Sequence, residues 1–145
     1  MGLLFKYSLN DAWNFPISEF AIFDGEPGYV FYWTEGKDKF GIPMEQVCID
    51  LDNETLGKIK NLIMNLNVTE LEKLEHVFIL DGYIQEFCYV VNGRKIELSG
   101  DNINYCKEQP QLYPGAMVMI RLLQKLKDIL APLGVDNKCF SLSRR

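Results

Sequence analysis

Hydrophobic positions in the first third of this chain fall in short runs between polar, turn-forming residues, and this pattern predicts strands. The runs lie at residues 18–23, 29–34 and 46–51, and turn-forming residues separate them. Residues 3–9 mix apolar and polar side chains and are expected to form an edge strand or a lead-in to the sheet. A further short strand is expected at residues 40–42.

A stripe of apolar residues at helical spacing follows these strands and predicts a helix that lies on the sheet. Its members are Leu56, Ile59, Leu62, Ile63 and Leu66. Asp52 or Asn53 is a suitable N-cap for this helix. Thr69 and Glu72 fit a capping box, which predicts a short second helix to about Glu75.

The second half of the chain predicts a three-stranded meander followed by a closing helix. The strands are expected at residues 76–80, 83–91 and 94–99, and Asn92-Gly93 favours a type I′ hairpin turn between the last two. The polar stretch 100–113 is long for a loop in a compact domain, so we expect it to be functional or mobile.

Pro114 suits the first turn of the closing helix, because its missing amide donor costs nothing there. The helix is expected to end before Pro132 and Gly134. Its apolar stripe comprises Met119, Leu122, Leu123, Leu126, Ile129 and Leu130.

These elements together predict an α+β fold: a mostly antiparallel sheet of six to seven strands with two main helices packed on one face. With 145 residues, 48% of them hydrophobic, the chain suits a single domain spanning residues 1–145. An apolar run ending in Asp-Gly occurs twice, at residues 21–25 and 78–82. This doubled phrase suggests an internal duplication, or else a short motif that arose twice.

The net charge, the length of the apolar runs and the spacing of the cysteines indicate which binding partners and which cellular compartment to expect. The net charge of −5 repels the phosphate backbone of nucleic acids and would attract a basic protein. No apolar run is long enough for a membrane span, and the N-terminus does not resemble a secretion signal, so we expect a cytoplasmic protein. The four cysteines are too far apart for a zinc site and are expected to be reduced, with Cys48 and Cys88 packed as small hydrophobic residues.

No residue combination in the sequence predicts a catalytic, metal or cofactor site. Asp50, Asp52 and Glu54 could approach a hard cation, but an acidic helix start explains them better. His76 is the only histidine, and Cys88 could approach it across a hairpin. No glycine loop has the spacing that cradles phosphate, so no nucleotide cofactor is expected.

Aromatic residues are concentrated in the strand at residues 29–34. If Tyr32 or Trp33 lies on an open face beside Asp24 or Glu26, the group would resemble a protein-binding hot spot, in which aromatic anchors sit inside a polar rim. Core packing is the alternative explanation for these aromatic residues.

The second half of the chain resembles small uncharacterised bacterial proteins that occur beside polymorphic toxins. The resemblance rests on Leu80-Asp81-Gly82-Tyr83, residues 87–91, Asn92-Gly93-Arg94-Lys95, Ser99-Gly100-Asp101-Asn102 and Pro110 or Pro114 before a long helix. It implies an immunity protein that neutralises a toxin by stoichiometric binding. The expected partner is a toxin domain with a basic surface.

The predicted contact residues combine the acidic and aromatic positions. They are Asp24, Glu26, Tyr32, Trp33, Asp50, Asp52 and Glu54. Two other functions remain open: a small-molecule-binding or enzymatic domain with a pocket near His76, and a structural module marked by an exposed apolar patch. The sequence does not predict an oligomeric state.

Overall fold

A six-stranded antiparallel sheet forms the scaffold of the residues that the computed structural model describes, which are 2–35, 46–74, 77 and 82–143. The strands are β1 (Gly2–Asp11), β2 (Pro16–Asp24), β3 (Gly28–Thr34), β4 (Val47–Leu51), β5 (Tyr83–Val91) and β6 (Arg94–Asp101). Their order across the sheet is β4-β3-β2-β1-β5-β6, and every neighbouring pair is antiparallel. The predicted α+β fold is confirmed.

The first strand occupies the middle of the sheet, so the expectation of an edge strand is wrong. β1 pairs with β2 on one side and with β5 on the other, and Tyr7 lies opposite both Phe20 and Phe87. Phe5, Tyr7 and Leu9 alternate along β1 and are almost fully buried. Because such alternation puts all three side chains on one face, β1 contributes the centre of the core.

The helices pack on the same face of the sheet as these three side chains. They are α1 (Asn53–Met64), α2 (Val68–Leu71) and α3 (Pro114–Leu130), with 3₁₀ helices at Ile103–Glu108, Pro110–Leu112, Ala131–Leu133 and Asn137–Phe140. The Phe140 ring centroid lies 4.9 Å from that of Phe20, and the Tyr7 hydroxyl donates a hydrogen bond of 2.7 Å to the Ser141 carbonyl. The C-terminal segment therefore covers the middle strands.

Local signals in the sequence account for most element boundaries. Asp52 is the N-cap of α1, as predicted, and both Asn92 and Gly93 have positive φ in the β5–β6 turn. The capping box at Thr69 is wrong, because the Asn67 side chain already caps α2 by accepting from the Glu70 amide at 3.2 Å. An Asx residue two positions earlier thus fixes the start of this helix.

The polar stretch that was expected to form a loop is mostly 3₁₀ helix. β6 continues to Asp101, and two 3₁₀ helices follow it before α3 begins at Pro114. Ile103 and Cys106 are fully buried in this stretch. The stretch resembles a loop in the sequence because most of its residues are polar. Its two buried apolar side chains nevertheless pack into the core.

The cysteines are free thiols, but only three of them are buried. Cys48 is exposed on β4, so its predicted packing is wrong, whereas Cys88, Cys106 and Cys139 are buried. Burial raises the pKa of the Cys139 thiol to about 12. Among the described residues, no helix has the length and apolar character needed to cross a bilayer.

Several predictions fall on residues that are not described. They are the strand at residues 40–42, the strand at residues 76–80 apart from Val77, the site near His76, and residues 78–81 of the doubled phrase. The internal duplication therefore stays a hypothesis.

Candidate functional site

Five of the predicted contact residues lie in segments that reach the same end of the sheet, which we call the acidic end. Asp24 and Glu26 lie where β2 turns into β3, and Asp50, Asp52 and Glu54 lie where β4 leads into α1. The β3–β4 register brings these segments together, because Gly28 pairs with Leu51 and Tyr29 with Asp50. The β2–β3 turn and the start of α1 are thus neighbours at this end, whereas Asp50, which alternates with buried Leu51, projects from the helix-free face.

A groove of about 540 Å³ separates the β2–β3 turn from the start of α1 at this end. Its lining residues are Asp24, Gly25, Glu26, Asn53, Leu56 and Lys60. Gly28 allows α1 to approach β3 closely, because a Cβ atom at position 28 would lie 2.8 Å from the Leu56 Cδ2 atom. Since glycine has no side chain, α1 lies against the first residue of β3 and forms one wall of the groove.

The start of α1 holds the second acidic segment in place. The Asp52 carboxylate accepts a hydrogen bond of 2.7 Å from the Thr55 amide, and this bond lowers the pKa of Asp52. Glu54 stands in the first turn, where the positive end of the helix dipole favours a negative charge. These interactions explain why an acidic sequence begins this helix.

Two lysines of α1 partly neutralise the acidic end. Lys60 Nζ lies 3.0 Å from Asp24 Oδ2, and its hydrogen bond lowers the pKa of Asp24. Lys58 Nζ lies 3.7 Å from Glu54 Oε1. Each lysine pairs with one carboxylate, while Glu26, Asp50 and Asp52 form no ion pair within the described residues.

Acidification is expected to reduce the stability contributed by Asp24 and Asp52. A carboxylate whose pKa is lowered by folding stabilises the protein above its unfolded pKa of about 3.9, and this contribution is lost as the pH falls through the folded pKa. The double variant D24N/D52N should therefore be less stable than the parent at pH 6, and the difference should shrink at pH 2.5. Urea denaturation at both pH values measures it, and a difference that does not change with pH would contradict the assignment.

The two predicted aromatic contacts do not lie beside the acidic end. Tyr32 and Trp33 pair with Phe20 and Glu19, near the other end of β3. Trp33 is only 9% exposed, and the half-buried Tyr32 donates its hydroxyl to the Gly134 carbonyl at 3.0 Å on the helix-covered face. The aromatic hot spot suggested by the sequence is therefore not formed, because alternation along β3 turns Tyr32 toward the helices and burial removes Trp33 from the surface.

Two exposed aromatic residues that the sequence analysis missed lie in the β1–β2 turn. Trp13 is 76% exposed and Phe15 is 67% exposed. The Asp11 carboxylate accepts hydrogen bonds of 2.9 Å from the amides of both residues, and Asn14 between them has a positive φ of 64°. The structure shows that both aromatic side chains point outward from this turn.

The helix-free face of the sheet holds a polar groove of about 380 Å³ across β1, β5 and β6. Its lining includes Lys6, Ser8, Glu86, Cys88, Glu97 and Ser99. The nearby Glu19 carboxylate accepts from the Ser8 hydroxyl at 2.8 Å and lies 3.2 Å from Lys6 Nζ. Burial raises the pKa of the Cys88 thiol, which disfavours the thiolate that a nucleophile requires.

Metal-ligating side chains are scattered across the parts of the chain that the structure describes. No group of three or more histidine, cysteine, aspartate or glutamate residues there is placed to hold a metal ion.

No family model matches this sequence, and no curated protein matches it either.

Proposed function

We propose that this chain is a cytoplasmic, non-enzymatic inhibitor of the bacterial immunity type, which neutralises a toxin by covering it in a one-to-one complex. The observation that carries the proposal is the acidic end, where Asp24 and Glu26 line a groove against the start of α1 and the β3–β4 register sets the acidic segment 50–54 beside that turn. A basic toxin domain is the partner that fits such a surface.

The acidic end is suited to binding because its charges are exposed and held by rigid elements. Glu26 and Asp50 are exposed, and neither forms an ion pair within the described residues. The sheet register and the Asp52 cap fix the segments that carry them. Little conformational freedom is lost on binding when the contact groups are already in place.

The charge of the acidic end favours fast association more than tight binding. Complementary potentials steer two proteins together and raise the association rate, and this effect falls as salt screens the charges. An inhibitor that must occupy its target before the target acts benefits from a fast encounter. The acidic end serves this purpose at neutral pH, where carboxylates are ionised.

An enzymatic role near Cys88 has less support. Its pKa is raised by burial, and the neighbouring Lys95 only partly opposes that shift. The proposed inhibitor needs no reactive group, since its effect comes from occupying the partner's surface.

Capture from the source cells with matched baits tests the proposal. The bait E26K/D50K reverses two charges of the acidic end, and the control bait E86K/E97K reverses two exposed charges on β5 and β6. We expect the unaltered chain and the control to capture the same toxin in equimolar amounts, and E26K/D50K to capture at least about tenfold less. Equal capture by both variants would contradict a role for the acidic end.

A further inference from the structure

The β1–β2 turn presents Trp13 and Phe15 as a rigid, exposed pair, which we call the aromatic tip. The Asp11 carboxylate accepts from both amides, the Asp11 amide donates to the Phe15 carbonyl at 2.9 Å, and the Asn14 amide donates to the Asp11 carbonyl at 2.9 Å. Because four hydrogen bonds fix this turn, docking the tip costs little backbone entropy.

A groove of about 340 Å³ between α1 and α3, which we call the helix groove, is lined by residues that suit such a tip. Its apolar lining comes from Leu62, Leu66, Val118 and Leu122, and asparagines at 61, 65 and 67 complete that side. Met64 lies in α1 between the lining residues Leu62 and Asn65, and it is 66% exposed. A methionine side chain adapts its shape readily to aromatic partners.

The helix groove also carries positive charge. Arg121 and Lys125 line it, both are exposed, and neither forms a salt bridge within the described part of the chain. A guanidinium group can stack on an indole ring, and the Asp11 carboxylate beside the tip would approach these cations at the same time. The groove thus offers the tip an apolar lining and complementary charge.

We propose that this protein forms a symmetric dimer in which the aromatic tip of each copy inserts into the helix groove of the other. Tip and groove lie on different parts of one chain, so the proposal places the two copies about a twofold axis, which makes both contacts equivalent and closes the assembly. The proposal goes beyond the inhibitor function and leaves the acidic end, on the opposite end of the sheet from the tip, outside the contact.

The surface area buried between the two copies indicates how strongly this dimer should associate. A tryptophan or phenylalanine side chain buries about 150–250 Å². With two tips and two grooves, the interface removes on the order of 1,000 Å² from water, which is the lower end for specific complexes. We therefore expect dissociation at micromolar concentrations rather than a permanent dimer.

Sedimentation velocity between about 1 and 200 μM tests the proposal. We expect the parent chain to sediment as a dimer at the high end, whereas W13A and R121E each weaken the dimer at least about tenfold. An equimolar mixture of W13A and R121E restores one of the two contacts, because the intact tip of one variant fits the intact groove of the other, and it should associate more than either variant alone but less than the parent chain. L112A, which truncates another exposed apolar side chain, is the matched control and should dimerise normally.

Fluorescence supplies an independent readout, since the chain has only two tryptophans. In W33F, emission comes from Trp13 alone and should shift to the blue as concentration rises. A parent chain that remains monomeric at 200 μM, or a dimer unaffected by both W13A and R121E, would overturn the proposal. So would a monomer whose Trp13 emission shifts only when phosphatidylcholine vesicles are added, because the tip would then bind lipid.

Discussion

Replacing Phe20 with alanine is expected to lower the free energy of unfolding by about 3–5 kcal/mol, the cost of deleting a buried aromatic ring. Phe20 is fully buried in β2, and its ring centroid lies 5.7 Å from that of Phe5, 6.1 Å from Tyr7 and 4.9 Å from Phe140. The cavity would open where the middle strands meet the C-terminal segment. Urea denaturation followed by circular dichroism measures the loss.

The same substitution at Phe15 is the matched control for Phe20. Phe15 is two-thirds exposed, so F15A should change the unfolding free energy of the monomer, measured below about 1 μM, by no more than about 0.5 kcal/mol. F20L keeps much of the buried apolar volume and should fall between the two alanine variants. Equal losses for F20A and F15A would mean that the core is not centred on these strands.

Replacing Gln85 with leucine should also be strongly destabilising, although leucine is the more hydrophobic residue. Gln85 is fully buried on the helix-covered face of β5. Its Nε2 donates to the Leu142 carbonyl at 2.8 Å, and its Oε1 accepts from the Ile103 amide at 3.2 Å. Leucine would leave two buried backbone groups without partners, at about 1–3 kcal/mol each.

Hydrogen exchange distinguishes this mechanism from a general loss of packing. In Q85L, the Ile103 amide should exchange faster than the amides of the central strands, because it has lost its acceptor. Q111L, at an exposed position in a 3₁₀ helix, should leave both stability and exchange unchanged. A Q85L loss below about 1 kcal/mol, with normal exchange at Ile103, would contradict the proposed role of Gln85.

The sequence predicted those elements whose signals are local. Apolar runs bounded by turn residues identified the strands at 18–23 and 29–34, and helical spacing identified α1 and α3. The burial of each helix follows from its pattern alone, because one face of it is apolar. The position of β1 could not be predicted in this way, since strand order depends on pairing between residues as distant as Phe5 and Tyr89.

The acidic end was only partly predictable from the sequence. Asp52 and Glu54 were identified as an acidic helix start, which is a local signal, and the structure adds the register that brings Asp24 and Glu26 to the same end. Gln85 was missed because a glutamine inside a strand looks like a solvent-facing position. Its partners, Ile103 and Leu142, are 18 and 57 residues away and carry no sequence signal.

The faces of β3 show why the aromatic contacts were misplaced. Composition marks Tyr32 and Trp33 as possible anchors, but their exposure depends on what covers each face. The two most exposed aromatic residues of the described chain are instead Trp13 and Phe15, in a turn whose local pattern does not predict a hydrophobic surface. Asp11 fixes that turn through two amides, an arrangement typical of Asx turns.

Titration of a captured toxin with this protein tests most directly whether it acts by stoichiometric covering. Toxin activity would be measured after adding increasing amounts of the chain, at a toxin concentration far above the dissociation constant. The proposed mechanism predicts a linear loss of activity that reaches completion at one equivalent, with intact toxin recovered when the complex is dissociated. Complete and irreversible inactivation by a small fraction of an equivalent would instead require turnover and would contradict the mechanism.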